Sequence, residues 1–150
     1  MEEVGLERNY MSDRVFLDSN ILIYTVDERN SQKQNKARSL IDNLVEKKTA
    51  QISTQTLQEF FNVVIKKLSC PKEEAKEFIE NYSKAFPVHK NTVSDILHAI
   101  EISIKTQFTF WDSLIISAAI SENCNILYSE DLNDGQTVEG VAIINPFKES

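Results

Sequence analysis

The chain has 150 residues, of which 41% are hydrophobic and 26% charged, and its formal net charge is −7. This length fits one domain with a substantial core, and the composition is ordinary for a globular protein. The acidic balance excludes the strongly basic pattern that marks many nucleic-acid-binding proteins, although cations bound by acidic side chains would weaken repulsion of a phosphate backbone.

The spacing of the cysteines and the length of the longest apolar run indicate where in the cell the protein is located. Cys70 and Cys124 lie far apart and make no metal-ligand spacing, and no secretory signal is evident. The densest apolar stretch, 114–120, is interrupted by Ser117 and is too short to span a bilayer. We therefore expect a cytoplasmic protein with no membrane association.

The first residues, 1–13, are polar and without periodicity, which predicts a flexible leader before a folded domain at 14–147 and a short tail at 148–150. Within the domain, short apolar runs alternate with amphipathic segments. The runs predict strands at 15–18, 50–53, 85–89, 125–129 and 141–144. The segments predict helices at 21–26, 31–47, 54–68, 71–84, 92–105 and 111–123. Ser53 or Thr54 can cap the third of these helices, and Thr92 and Asp95 form a capping pair at the fifth. This alternation predicts a parallel sheet covered by helices on both faces.

Four carboxylates lie at the ends or in the first turns of these elements: Asp18, Glu59, Asp112 and Asp131. Asp18 closes the first strand and Asp131 follows the fourth, so both face the edge where parallel sheets bind ligands. Acids that converge repel one another unless a cation neutralises them. The sequence therefore predicts a divalent-metal site and an enzyme that acts on phosphate esters.

Two of these acids have a competing explanation as helix caps. Asp18 has the residue type and position to cap the helix that begins near Ile21, unless Asn20 does so instead. Asp112 lies in the first turn of a helix that is apolar nearly all round, where it gains from the helix dipole. Of the four acids, Asp112 gives the strongest single indication of a functional role.

The other two acids are less distinctive by pattern. Glu59 projects from the side of its helix opposite the apolar stripe, near Asn62, which is typical of a solvated surface. Asp131 shares a polar loop with Glu130 and Asp134, and any of the three could reach the site.

Other chemistries find little support in the sequence. The chain has three glycines and no glycine-rich phosphate loop. His89 and His98 lack the spacing of a zinc site, so we expect both to be structural. Carboxylate oxygens are hard ligands that favour Mg²⁺ or Mn²⁺ over zinc.

The motifs LDSNILIY, STQTLQEFFNVVIKKL, FTFWDSLIISAAI, ILYSEDLNDGQ and INPF, in this order and spacing, resemble the PIN domain. The resemblance covers residues 14–147 and is closest to the VapC-like ribonuclease toxins of bacterial and archaeal toxin–antitoxin pairs. It implies a three-layer α/β/α sandwich with a central, mostly five-stranded parallel sheet.

The resemblance also implies a function. It assigns Asp18, Glu59, Asp112 and Asp131 as catalytic and metal-binding acids of an Mg²⁺- or Mn²⁺-dependent endoribonuclease, with Asn20 at the small polar position after the first acid. It further implies an RNA substrate, an antitoxin encoded next door whose tail covers the acidic cleft, and a homodimer.

Contacts to the RNA backbone are expected from Asn20, Lys66 and Lys67. The sequence departs from the family at Ile65-Lys66-Lys67, where relatives often have Arg-Lys.

Two alternatives remain. A haloacid-dehalogenase-like phosphatase would need a second Asp two residues after the first, where this chain has Asn20. An inactive PIN-fold module that only binds RNA or protein would be marked by the loss of one or more acids, and all four are present.

Overall fold

The computed structural model describes residues 13–148. The predicted leader lies outside the described residues except for Asp13, as do the last two residues of the predicted tail. The boundaries of the folded domain therefore stay a prediction. Among the described residues, no helix is long and apolar enough to cross a membrane.

A central sheet organises the described part of the chain. Its strands are β1 (Val15–Leu17), β2 (Ala50–Ser53), β3 (Val88–His89), β4 (Ile126–Tyr128), β5 (Thr137–Val138) and β6 (Val141–Ile144). Their spatial order is β3-β2-β1-β4-β6-β5, and every pair is parallel except β5 with β6. The α/β class and the mostly parallel sheet are thus confirmed.

The number of strands is a correction, because the sheet has six strands where five were expected. The additional strand, β5, forms an antiparallel hairpin with β6. Glu139 and Gly140 connect the two strands and both have positive φ angles, of 47° and 88°, as the tight turn of a type I′ hairpin requires. The two residues of β5, Thr137 and Val138, include a single apolar side chain and stand in a polar stretch of the sequence, so no apolar run indicates this strand.

The helices are α1 (Ser19–Val26), α2 (Ser31–Lys47), α3 (Thr54–Lys67), α4 (Lys72–Ala85), α5 (Val93–Lys105) and α6 (Phe110–Ser121). Each begins and ends within two residues of its prediction, and α2 matches it at both ends. The expected capping pair Thr92 and Asp95 forms a reciprocal capping box at α5. Ser53, rather than Thr54, caps α3.

The core lies on both faces of the sheet, as a three-layer sandwich requires. Along β1, Val15 and Leu17 belong to one buried cluster, together with side chains from α1, α2, α3 and α4. Phe16 belongs to the other cluster, with side chains from α5 and α6. Because successive side chains of a strand point to opposite faces, this split identifies β1 as the buried centre of the fold.

The register of the central strands defines the edge that carries the site. Leu17 at the end of β1 is aligned with Tyr128 at the end of β4. Asp18 and Ser129 therefore leave the sheet side by side. Helices α1 and α3 begin at the same edge, directly after β1 and β2, and α6 begins there because it returns the chain to the start of β4.

Candidate functional site

Asp18 lies at the centre of this edge and is 6% exposed. It is the N-cap of α1, and its Oδ1 accepts a hydrogen bond from the Ser19 amide at 2.7 Å. Its other oxygen, Oδ2, accepts from the Ser129 hydroxyl at 2.8 Å. Both oxygens are thus oriented by the protein, so the capping role and a role in a site are compatible.

Asn20 is buried in the first turn of α1 and does not cap this helix, so the alternative assignment of the cap to Asn20 is wrong. Its Nδ2 lies 3.1 Å from Oδ2 of Asp131 and 3.4 Å from the Ser129 hydroxyl. Its Oδ1 accepts from the Glu130 amide at 3.1 Å. Asn20 therefore connects α1 to the loop that follows β4.

Glu59 is half-buried on α3, which contradicts its interpretation as solvated surface. Its Oε1 accepts from the Ser19 hydroxyl and its Oε2 from Nε2 of Gln55, each at 3.2 Å. The apolar stripe of α3 faces the core, but its polar side is crossed by the start of α1. The structure thus brings Glu59 to the edge where Asp18 lies.

Asp112 lies in the first turn of α6, and the capping role there belongs to Thr109, whose hydroxyl accepts from the Asp112 amide at 3.2 Å. The Asp112 carboxylate is not the cap. Gln55 also donates to the carbonyl of Trp111 at 3.0 Å, while its Nε2 contacts Glu59. One buried amide therefore joins the two helices that carry Glu59 and Asp112.

Among the three loop acids, the contacts favour Asp131 as the fourth member of the site. Glu130 accepts from the Tyr24 hydroxyl at 2.6 Å and pairs with Lys33. Asp134 accepts from the Asn145 amide at 2.7 Å. Both are thus bound to other parts of the chain, whereas Asp131 is exposed and contacts Asn20 of α1.

The four acids form one electrostatic cluster. Burial raises the pKa of Asp18 to about 7, and the charges of Glu59 and Asp131 add to this rise, against the hydrogen bonds from Ser129 and the Ser19 amide. Burial, together with Asp112 and Asp131, also raises the pKa of Glu59. Burial and the charge of Asp131 raise the pKa of Asp112. Each of these three acids is thus disfavoured as an anion by burial and by other members of the cluster.

This donor set fits a hard divalent cation, whose charge would reverse the penalty on the ionised carboxylates. Within residues 13–148, no three Asp, Glu, His or Cys side chains stand close enough to form a ready-made ligand set. Mg²⁺ commonly retains several waters and takes one or two carboxylates directly. The carboxylate oxygens therefore fit a divalent cation, and the acids farther from it would act through bound water.

Two cavities differ in their relation to these acids. A cleft of about 270 Å³ is lined by Asp112 and Asp131 and by the chain on either side of them. A larger cavity of about 830 Å³ lies between α1, α2, α3 and α4, and none of the four acids lines it. A choice of site by cavity volume alone would therefore select the larger cavity and miss the four acids.

The predicted basic contacts are not brought to the acids. Lys66 and Lys67 are exposed in the last turn of α3, seven and eight residues beyond Glu59. At 1.5 Å of rise per residue, they lie about 10 Å further along the helix. Lys67 lines the larger cavity instead.

Three residues of the site escaped the sequence reasoning: Ser19, Gln55 and Ser129. Gln55 precedes Glu59 by four residues and so shares its helix face, which is a signal that the pattern contained. Ser19 directly follows Asp18, and Ser129 directly follows the last residue of β4. Serine is too common at such positions for either residue to indicate function.

The two histidines have structural partners, as expected. His89 lies between Asp95 and Glu122, with its ring nitrogens 2.8 Å and 2.6 Å from their carboxylates. His98 contacts Glu139 at 3.0 Å.

Comparison with known proteins identifies the family of the chain. The family model of the PIN domain matches residues 15–133, which include all four acids. The chain belongs to the PIN domain family. A search of curated proteins gives no match.

Solved structures of VapC-like toxins share the fold of this PIN domain. VapC20 of Mycobacterium tuberculosis, described as a Sarcin-Ricin loop cleaving toxin, has 14% identity and a TM-score of 0.64, covering 78% of this chain and 89% of its own. VapBC2 of Rickettsia felis, bound to a promoter DNA fragment, has 19% identity and a TM-score of 0.64, covering 86% and 96%. VapBC-1 of nontypeable Haemophilus influenzae has 19% identity and a TM-score of 0.64, covering 89% and 98%.

The raised pKa of Asp18 predicts a pH dependence of stability in the metal-free protein. Between pH 3.8 and about 7, the folded protein retains a proton that the unfolded chain releases, so the free energy of unfolding falls as the pH rises. This pKa difference corresponds to at most about 4 kcal/mol. Asp18→Asn should reduce this fall, leaving the smaller one that the raised pKa values of Glu59 and Asp112 produce, and should be the more stable protein at pH 8. Urea unfolding of both proteins in EDTA across this range measures it, and parallel pH profiles would contradict it.

Proposed function

We propose that this PIN domain is a metal-dependent endoribonuclease that hydrolyses phosphodiester bonds. The observation that carries the proposal is the electrostatic cluster of four acids, which come from different elements and meet at the carboxyl edge of a parallel sheet. A structural role would not require like charges to converge at a partly buried edge, whereas a cation-dependent reaction of a phosphate ester does.

Asp18 and Asp112 are the proposed direct metal ligands, with Glu59 and Asp131 in support. When bound, Mg²⁺ or Mn²⁺ polarises the phosphodiester and lowers the pKa of a water nucleophile. Ser129 and the Ser19 amide fix the two oxygens of Asp18. Ser19 and Gln55 orient Glu59 in the same way, so the carboxylates are fixed in orientation before substrate binds.

Single-stranded RNA suits the surroundings of the cluster. Trp111 directly precedes Asp112, is 62% exposed and meets Phe110 edge-on at 5.1 Å between ring centroids. An exposed indole beside a phosphate site can stack on an unpaired base. Lys66 and Lys67 would contact only a strand that continues along α3, because they lie two turns beyond Glu59.

Removal of the metal or of one ligand tests the proposal. We expect the purified protein to cleave single-stranded RNA with Mg²⁺ or Mn²⁺, and EDTA to stop the reaction. Asp112→Asn should reduce cleavage by about 100-fold or more, because it removes a charge that the metal site needs. Gel analysis of a broad panel of labelled RNAs measures this.

Asp42→Asn is the matched control, since Asp42 is an exposed aspartate of α2 that lines the larger cavity rather than the cleft. It should cleave like the wild type. Equal behaviour of wild type and Asp112→Asn would overturn the nuclease assignment, and RNA binding without any cleavage would favour an inactive binding module instead.

An antitoxin is the proposed protein partner. Two of the structures of similar fold described above are VapBC assemblies, from Rickettsia felis and Haemophilus influenzae. We propose that this PIN domain is likewise the toxin of such a pair and that the tail of an adjacently encoded antitoxin covers the acidic cleft.

A homodimer is the proposed assembly, and α5 offers the surface for it. One face of α5 packs on α6, while its other face exposes Val93, Ile96, Leu97, Ile100 and Ile104. Val93, Leu97, Ile100 and Ile104 follow a spacing of 4, 3 and 4 residues, which is the same read in either direction. Two copies paired antiparallel about a two-fold axis therefore place Val93 opposite Ile104 and Leu97 opposite Ile100.

Disruption of this stripe predicts loss of the dimer. Leu97→Glu places a charge at the centre of the paired helices and should convert the protein to a monomer at micromolar concentration, as measured by sedimentation velocity. Glu101→Gln, on an exposed position of the same helix, is the control and should stay dimeric. A wild-type protein that sediments as a monomer would contradict the proposed assembly without affecting the nuclease assignment.

A further inference from the structure

The loop that carries Asp131 is attached to the helical layer by the residue just before it. Both carboxylate oxygens of Glu130 are engaged: Oε1 accepts from the Tyr24 hydroxyl of α1 at 2.6 Å, and Oε2 pairs with the ammonium group of Lys33 on α2. Lys33 and Glu130 are 97 residues apart in the sequence. The pair therefore joins the start of α2 to the loop after β4.

Two aromatic rings lie beside the Lys33 ammonium group of this pair. The Lys33 ammonium lies 4.9 Å from the centre of the Tyr24 ring and 5.9 Å from that of Phe147. These two rings meet edge-on, with centroids 5.0 Å apart. Ring faces attract a cation and limit its contact with water, so this ion pair is better defined in position than an isolated surface pair.

The C-terminal segment 145–148, which contains Phe147, holds the far end of the loop that carries Asp131. Asp134 accepts from the Asn145 amide at 2.7 Å and lies 3.4 Å from the Lys148 ammonium. Asn145 in turn accepts from the Phe147 amide at 2.9 Å. Asp131 thus lies between two acids, Glu130 and Asp134, that are bound to other parts of the chain. The Asp131 side chain itself lines the cleft.

Hydrogen bonds continue from the anchored Glu130 to the acids of the cluster. The Glu130 amide donates to Asn20, and Asn20 donates to Asp131 at 3.1 Å and lies 3.4 Å from the Ser129 hydroxyl. Ser129 donates to Asp18 at 2.8 Å. A shift of the Glu130 backbone would therefore be felt at both Asp131 and Asp18.

We propose that Lys33 is a positioning residue for the metal-binding acids: by fixing Glu130, it sets the loop and Asn20 so that Asp131 and Asp18 are oriented towards the same cation. The inference rests on the proposed metal-dependent activity. Lys33 acts from outside the cleft, through its ion pair, and does not contact the substrate or the reacting atoms.

Binding of Mn²⁺ to the protein alone tests this role independently of activity. Lys33→Met keeps the aliphatic stem but removes the charge, and it should weaken Mn²⁺ binding about tenfold in isothermal titration calorimetry, the effect typical of losing an outer-shell partner. Glu130→Gln should act in the same direction. Lys33→Arg should restore binding to within about threefold of the wild type, because it keeps the charge that pairs with Glu130.

A double-mutant cycle separates positioning from general stability. In the Asp131→Asn background, Lys33→Met should weaken Mn²⁺ binding clearly less than it does in the wild type, because one of the two acids through which Lys33 acts is already lost. With RNA as substrate, Lys33→Met should lower kcat while KM stays within about twofold of the wild type. Lys36→Met, at an exposed position of α2, is the matched control and should leave Mn²⁺ binding unchanged.

The outcomes distinguish this inference from the proposed function. If the wild type binds Mn²⁺ and cleaves RNA but Lys33→Met binds Mn²⁺ equally well, the positioning role is wrong and the nuclease assignment stands. If Lys33→Met weakens binding equally with and without Asp131, Lys33 acts on overall stability rather than on this acid. A wild type that neither binds Mn²⁺ nor cleaves RNA would overturn both proposals.

Discussion

Repulsion among carboxylates that meet at one partly buried edge of the sheet is the constraint on which the rest of the structure depends. Asp18 lies 6% exposed at the centre of the sheet edge, with Glu59 and Asp131 near enough to raise its pKa further. Such a cluster is unfavourable by itself, and its four acids come from separate parts of the chain. Hydrogen bonds at Asp18 and Glu59 offset part of the penalty, and a bound divalent cation would offset the remainder.

The parallel sheet explains why acids so far apart in sequence meet. Register places the ends of β1 and β4 side by side, and the helices that follow β1 and β2 begin at the same edge. Side-chain amides then connect the elements: Gln55 links α3 to α6, and Asn20 links α1 to the loop after β4. The site is thus built from the fixed ends of rigid elements, with small polar residues setting the orientation of each carboxylate.

What the sequence could predict was mainly local. Helix α2 and the capping box of Thr92 and Asp95 follow from periodicity and neighbouring side chains, and both are confirmed. The position of Glu59 was not predictable from α3 alone, because its pattern does not reveal that the start of α1 crosses the polar face. Strand β5 was missed because its two residues stand in a polar stretch and form no apolar run, unlike the equally short β3, which follows Phe86 and Pro87.

The choice among the three loop acids shows the same limit. Glu130, Asp131 and Asp134 are equivalent in sequence, and their directions are set by partners elsewhere in the chain: Lys33 for the first, Asn20 for the second and Asn145 for the third. The resemblance to the PIN domain supplied the order of the acids and the family. The family model confirms the family, over residues 15–133. The solved structures, at 14–19% identity, show the shared fold.

Location of a bound ion tests the central claim most directly. In crystals soaked with Mn²⁺, the anomalous difference map should show a peak at the carboxyl edge of the sheet, coordinated by Asp18 or Asp112 and neighbouring waters, and Asp112→Asn crystals treated alike should lose it. A saturated crystal in which Mn²⁺ occupies only sites away from the four acids would contradict the account.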